Sequence, residues 1–124
     1  MIGIVRGVSV YAWAEPVDMR KSFNTLSALV DKQRHTELLT GDLFLFVSRN
    51  RKRAKVLYFD GTGLCLLAKR LEKGCFSAPW KRTNGPTVEM TVSELALFIE
   101  GSELGRVRLS PPLLRKSDLR TKSF

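Results

Sequence analysis

Five of the seven residues from Arg49 to Lys55 are basic: Arg49, Arg51, Lys52, Arg53 and Lys55. Guanidinium and ammonium groups at that density suit a row of phosphates, because each neutralised phosphate releases condensed counterions. Arg49, Arg51 and Arg53 also have the reach for base edges, but their spacing names no base. Two more basic pairs carry the same chemistry. Arg20-Lys21 falls where a helix is expected to begin. A helix N-terminus already bears partial positive charge, so two cations there gain nothing from the helix and would gain from a shared anion. Lys69-Arg70 closes an apolar run. The candidate nucleic-acid-binding residues are therefore Arg20, Lys21, Arg49, Arg51, Lys52, Arg53, Lys55, Lys69 and Arg70. The plainer reading of each is a solvated cation that keeps a loop soluble.

Catalytic constellations are weak. The single histidine, His35, has no serine or cysteine context and reads as a solvated loop residue. Asp42, Asp60 and Glu72 bracket the central stretch, but a two-metal nuclease needs carboxylates that converge from the core. No Walker loop, GxGxxG or HExxH is present. Cys65 and Cys75 lack the partners of a four-ligand zinc site and read as reduced thiols, which fits a cytoplasmic protein. Trp13, Trp80, Tyr58 and Phe59 have faces on which bases could stack, although aromatic residues in strands are more commonly core. No catalytic residue, metal or cofactor is expected, and the chain does not read as an enzyme.

These residues need elements to hold them. Val8 to Trp13 alternates and reads as a strand, ended by Pro16, which lacks a ladder donor. Asp18 has the chemistry of a helix N-cap. From there Met19, Phe23, Leu26 and Val30 form one apolar stripe, predicting a helix over about 19–34 whose inner face covers a sheet. Leu43 to Val47 is apolar throughout, as in a central strand covered on both faces. Val56 to Phe59 and Leu64 to Leu71 flank Asp60-Gly61, a strong hairpin signal. Phe76 to Trp80 is a candidate further strand, and Asn84-Gly85 turns the chain back to Thr87–Met90. Thr91 and Glu94 match a capping box, which opens a short helix carrying Leu95, Phe98 and Ile99 and ended by Gly101. The expected fold is α+β: a largely antiparallel meander of four to six strands, one long helix packed on it, and a short C-terminal helix. One globular domain over 1–105 is expected, with a flexible basic tail over 106–124.

With 124 residues and 44% hydrophobic content, the chain can bury a real core; its unusual feature is a net charge of +9. Six basic residues and one acidic residue lie in 106–124 alone. Such a balance points to polyanions, nucleic acid before a membrane surface. No leader pattern is visible near the N-terminus, and no apolar run approaches the roughly 18 residues of a membrane span.

Three stretches also carry a resemblance: Asp18-Met19-Arg20-Lys21-Ser22-Phe23, Gly41-Asp42-Leu43-Phe44-Leu45-Phe46, and the run from Lys55 through Asp60-Gly61-Thr62-Gly63 to Lys69-Arg70-Leu71-Glu72-Lys73-Gly74. Together they resemble the short accessory protein, TnpB, from the second open reading frame of insertion-sequence-sixty-six-type elements. The resemblance spans about residues 2 to 100. Ser22 stands where the family usually has Gly, and Gly101-Ser102-Glu103-Leu104 replaces a Gly-Ile-Asp-Trp turn. The resemblance implies a bacterial mobile-element protein, encoded beside a separate transposase and needed for efficient transposition without being its catalytic subunit. It shares only a name with the long RNA-guided nuclease. Residues and resemblance together lead to a non-catalytic accessory protein that binds DNA through a basic surface and works beside the transposase. The alternative is an adaptor that docks on the transposase with little DNA contact. Neither reading fixes the oligomeric state.

Overall fold

A computed structural model describes residues 7–34 and 41–101. Its order is β1 (Val10–Trp13), α1 (Phe23–Arg34), β2 (Leu43–Val47), β3 (Arg53–Phe59), β4 (Leu64–Arg70), a 3-10 turn (Pro79–Lys81), β5 (Thr87–Met90) and α2 (Val92–Ile99). The five strands form one sheet in the order β4-β3-β2-β1-β5. β2, β3 and β4 make the expected meander. The sheet as a whole is mixed, because β1 pairs β2 in parallel, with Val10 against Leu43 and Ala12 against Leu45. Parallel neighbours need a crossover, and α1 supplies it. β5 closes the far edge antiparallel to β1, with Val10 against Met90 and Trp13 against Thr87.

Strand alternation splits the core in two. On one face, Val10, Ala12, Leu45, Val47, Ala54 and Val56 pack with Phe76, Met90, Leu95 and Phe98, under α2 and the segment before the 3-10 turn. The Phe76 and Phe98 rings stack with centroids 5.4 Å apart and planes almost parallel. On the other face, Trp13, Phe44, Phe46 and Leu57 pack with Val17, Leu26 and Val30, under α1. β2 is central and buried from Phe44 to Val47, as its unbroken apolar sequence requires. The Thr91–Glu94 capping box is formed, each side chain accepting from the other residue's backbone N–H at 3.0 and 2.8 Å.

Several expectations need correction. The long helix is shorter than predicted, beginning at Phe23 and not at Met19. Asp18 is the cause: its carboxylate accepts the Arg20 backbone N–H at 2.9 Å, and its carbonyl accepts the Lys21 N–H at 3.1 Å. Local side-chain bonds of this kind give the backbone an alternative to the helix. One consequence is that Phe23, expected in the buried stripe, is 43% exposed. Phe76 to Trp80 is not a strand; Pro79 starts the 3-10 turn, and β5 pairs with β1 in its place. β1 starts at Val10, leaving Val8 exposed. β3 starts at Arg53, so Arg53 and Lys55 belong to the sheet and not to the basic loop. The expected tail, residues 106–124, and His35 lie outside the described residues, as do both ends of the expected 1–105 domain.

Candidate nucleic-acid interface

The Asp60–Gly63 turn sets the position of the basic residues on β3 and β4. Asp60 Oδ1 accepts the backbone N–H groups of Thr62 and Gly63 at 2.9 and 3.0 Å, and the Asp60 N–H reaches the Gly63 carbonyl at 3.0 Å. Those N–H bonds hold the Asp60 carboxyl down to about 2. Its Oδ2 accepts from the Cys65 thiol at 3.4 Å; burial, and next this bond, push the thiol's pKa up. Cys65 and Cys75 are both unbridged. From this turn the register runs Phe59 to Leu64, Leu57 to Leu66, Lys55 to Ala68 and Arg53 to Arg70. Side chains alternate across a sheet, so Arg53, Lys55 and Arg70 share the α1 face with Leu57. Arg53 and Arg70 are directly opposed like charges, an arrangement that destabilises an isolated pair of strands.

Two adjoining clefts open around these residues. The larger, about 650 Å³, is lined by Pro16, Val17, Asp18, Met19, Ser48, Arg49, Asn50 and Arg53. The smaller, about 390 Å³, is lined by Met19, Arg53, Ala54, Lys55, Ala68, Lys69, Arg70 and Glu72. Met19 and Arg53 belong to both and form the divide. Lys55 Nζ donates to the Lys21 carbonyl at 2.7 Å, tying β3 to the chain just before α1.

Two acids temper this surface. Asp18 takes the Arg20 guanidinium through Nε and Nη2, the shortest contact being 2.7 Å. Those hydrogen bonds hold the Asp18 carboxyl well below the usual carboxylate range and push Arg20 further up. Glu72 sits 3.3 Å from Arg70. Both ion pairs are exposed, so solvent and salt screen them.

The other candidates point elsewhere. Arg51 has a φ of +60°, rare for a residue with a side chain. Ser48 holds that turn: its carbonyl accepts the Arg51 N–H at 2.9 Å, and its hydroxyl accepts the Arg53 N–H at 3.1 Å. Arg51 Nη1 donates to the Phe76 carbonyl at 3.2 Å, and Lys52 Nζ donates to that of Gly74 at 3.2 Å. Lys69 contributes to the wall of the smaller cleft, yet alternation places it on the α2 face. There its ammonium donates to the Ile99 carbonyl at 2.8 Å, at the negative end of α2. The structure thus brings Arg49, Arg53, Lys55 and Arg70 together beside Arg20 and Lys21. It commits Arg51, Lys52 and Lys69 to backbone carbonyls away from the clefts, while Lys55 keeps its carbonyl bond to Lys21 within the cleft wall.

Among the described residues, no three His, Cys, Asp or Glu side chains gather where a metal could be held, and no helix is long and apolar enough to cross a membrane. The sequence reading missed Met19 as the divide between the clefts and the exposure of Phe23. Counting back from the Asp60–Gly63 turn would have found the Arg53–Arg70 opposition.

The chain matches the family model described as IS66 Orf2 like protein over residues 8–109. It belongs to the IS66 Orf2-like family. The match takes in every described element, including both clefts. Two curated relatives, both from Sinorhizobium fredii, are similar along most of their length. Uncharacterized protein y4jC is 33% identical over 111 residues, covering 90% of this chain and 93% of the relative. Uncharacterized protein y4hO is 32% identical over 97 residues, covering 77% and 83%. No solved structure matches. Membership in the IS66 Orf2-like family makes this a transposition-associated accessory protein of an insertion sequence.

Proposed function

We propose that the protein serves transposition as a non-catalytic DNA-binding accessory factor, and that Arg49, Arg53, Lys55 and Arg70, with Arg20 and Lys21 beside them, contact the phosphate backbone. The observation that carries this reading is the Arg53–Arg70 cross-strand pair at the junction of two open clefts. Arginines at opposed positions repel one another and are stabilised by an anion; Glu72 already meets Arg70 in an exposed pair at 3.3 Å, and a phosphate would add to it. Family membership supplies the setting, a DNA element that must be handled as it moves.

Electrophoretic mobility-shift titrations across a range of salt test it. Binding should weaken steeply as salt rises, and Arg53→Ala/Arg70→Ala should reduce the slope of log K against log salt by about 2. Absence of binding at low salt, or a double variant indistinguishable from wild type, overturns the reading.

One observation supports an adaptor role instead. β4 is an edge strand, and its Leu67 is 51% exposed on the α2 side. A strand edge left unpaired among the described residues, with an exposed leucine, suits pairing with another protein. Pull-down of the element's transposase that persists after nuclease treatment, and fails for Leu67→Asp, would favour the adaptor.

A further inference from the structure

We propose that the DNA bound here is single-stranded, with an unpaired base stacked on Phe23 and the adjoining phosphates held by Lys55, Arg53 and Arg70. The proposal rests on the DNA-binding reading above and adds the state of the DNA. Phe23 is the first residue of α1. It is three and seven residues before Leu26 and Val30, so helical periodicity places it on their face, the one turned toward the sheet. Leu26 and Val30 are fully buried, whereas Phe23 is 43% exposed. An aromatic ring on the inward face of an amphipathic helix is thus left nearly half exposed at the helix start.

Phe23 does not line either cleft, but the chain just before it is tied to a residue of the smaller one. The Lys21 carbonyl, two residues before Phe23, accepts the Lys55 ammonium at 2.7 Å. Lys55 faces Ala68 across the strands, and Arg53 faces Arg70 two residues further on. Two residues of strand advance about 7 Å, so Lys55 and Arg53 are spaced along β3 at about the interval of successive phosphates. Ala68 offers no bulk beside them and belongs to the cleft lining. The other aromatic side chains of the described residues are better covered: Trp13, Phe44, Phe46, Phe76 and Phe98 are buried, and Tyr11, Tyr58, Phe59 and Trp80 are half-buried. A cationic track with a free aromatic face is the arrangement that holds single strands, because every base has a π face. A base inside a duplex is already stacked on both sides and cannot use Phe23.

Fluorescence-anisotropy titrations of the full chain with labelled oligo-dT, oligo-rU and a DNA duplex of equal length test this. Wild type should prefer oligo-dT to the duplex. Phe23→Ala should lose affinity for oligo-dT on the order of tenfold and leave the duplex unaffected. Phe23→Leu, which keeps apolar volume without a π face, should behave as Phe23→Ala does. Phe23→Trp should retain binding and gain an emission quenched by oligo-dT. If Phe23→Ala binds oligo-dT as wild type does, or loses equally on the duplex, the single-strand proposal fails. Arg53→Ala/Arg70→Ala then reports separately on DNA binding itself. Oligo-rU bound more tightly than oligo-dT, with the same loss at Phe23, overturns the assignment to DNA.

Discussion

Lys69 and Arg70 are neighbours in sequence and opposites in use. Lys69 lies on the α2 face, where its ammonium meets the Ile99 carbonyl at the end of α2. Arg70 lies on the α1 face, opposite Arg53 and at the rim of a cleft. A similar division holds for most, though not all, of the basic set. On the α2 side, Arg51 and Lys52 bind carbonyls at Phe76 and Gly74. On the α1 side, Arg53 and Arg70 face one another at the clefts, Lys55 is tied to the Lys21 carbonyl, and the acids that meet Arg20 and Arg70 do so in exposed pairs. For Lys69 and Arg70 the side of the sheet decides the partner, and one step along the strand changes the role.

The comparison can be broken in three ways. The largest effect is expected from Phe98→Ala, which removes the ring stacked on Phe76 and should cost about 3–5 kcal/mol of stability. Urea unfolding would measure it, while the fraction still folded should bind DNA as wild type does. Loss of DNA affinity in that folded fraction would mean the α2 face is not purely structural. Next, Lys69→Met should cost about 0.3–1 kcal/mol, the usual value of a cation at a helix C-terminus, with DNA affinity unchanged. Arg70→Ala should do the reverse: unchanged or slightly raised stability, and a salt slope lowered by about 1. Paired thermal melts and salt titrations of the two variants would decide whether neighbours divide as proposed.

The smallest effect concerns the far end of the hairpin. The folded Asp60 carboxyl titrates near 2, below its ordinary 3.8. A depressed folded-state pKa gives stability that is present above the unfolded value and lost as pH falls through the folded one. The Tm difference between wild type and Asp60→Asn should therefore be constant above about pH 4 and shrink between pH 4 and 2. A difference independent of pH across that window would show that the carboxylate's charge does not hold the turn.

Much of this architecture was legible because its signals are local. The β2–β3–β4 meander follows from apolar runs and an Asp-Gly turn, and the start of α2 from Thr91 and Glu94. The opposed Arg53 and Arg70 follow from that same turn by counting. The parallel β1–β2 pairing was not legible, since it joins segments on either side of α1 and no local residue records it. The start of α1 was misplaced because Asp18 has two outlets, a helix cap or a turn with Arg20, and the turn prevailed. The fate of Arg51 and Lys52 depends on carbonyls 22 to 25 residues away, and sequence periodicity says nothing about such acceptors.

The position of β5 has a consequence for how the chain folds. Pairing Val10 with Met90 joins residues 80 positions apart, whereas β3 and β4 are linked by a four-residue turn. Non-local pairings must meet their loop-closure entropy before their contacts reward it. The meander that carries Arg53 and Arg70 is thus the part of the sheet able to assemble early, and the β1–β5 edge closes late. Pulsed hydrogen exchange should protect the Val56 and Leu67 amides, a hydrogen-bonded pair of the β3–β4 ladder, before those of β5, and simultaneous protection would contradict that order. The protein would then present its charged strands before its sheet is complete.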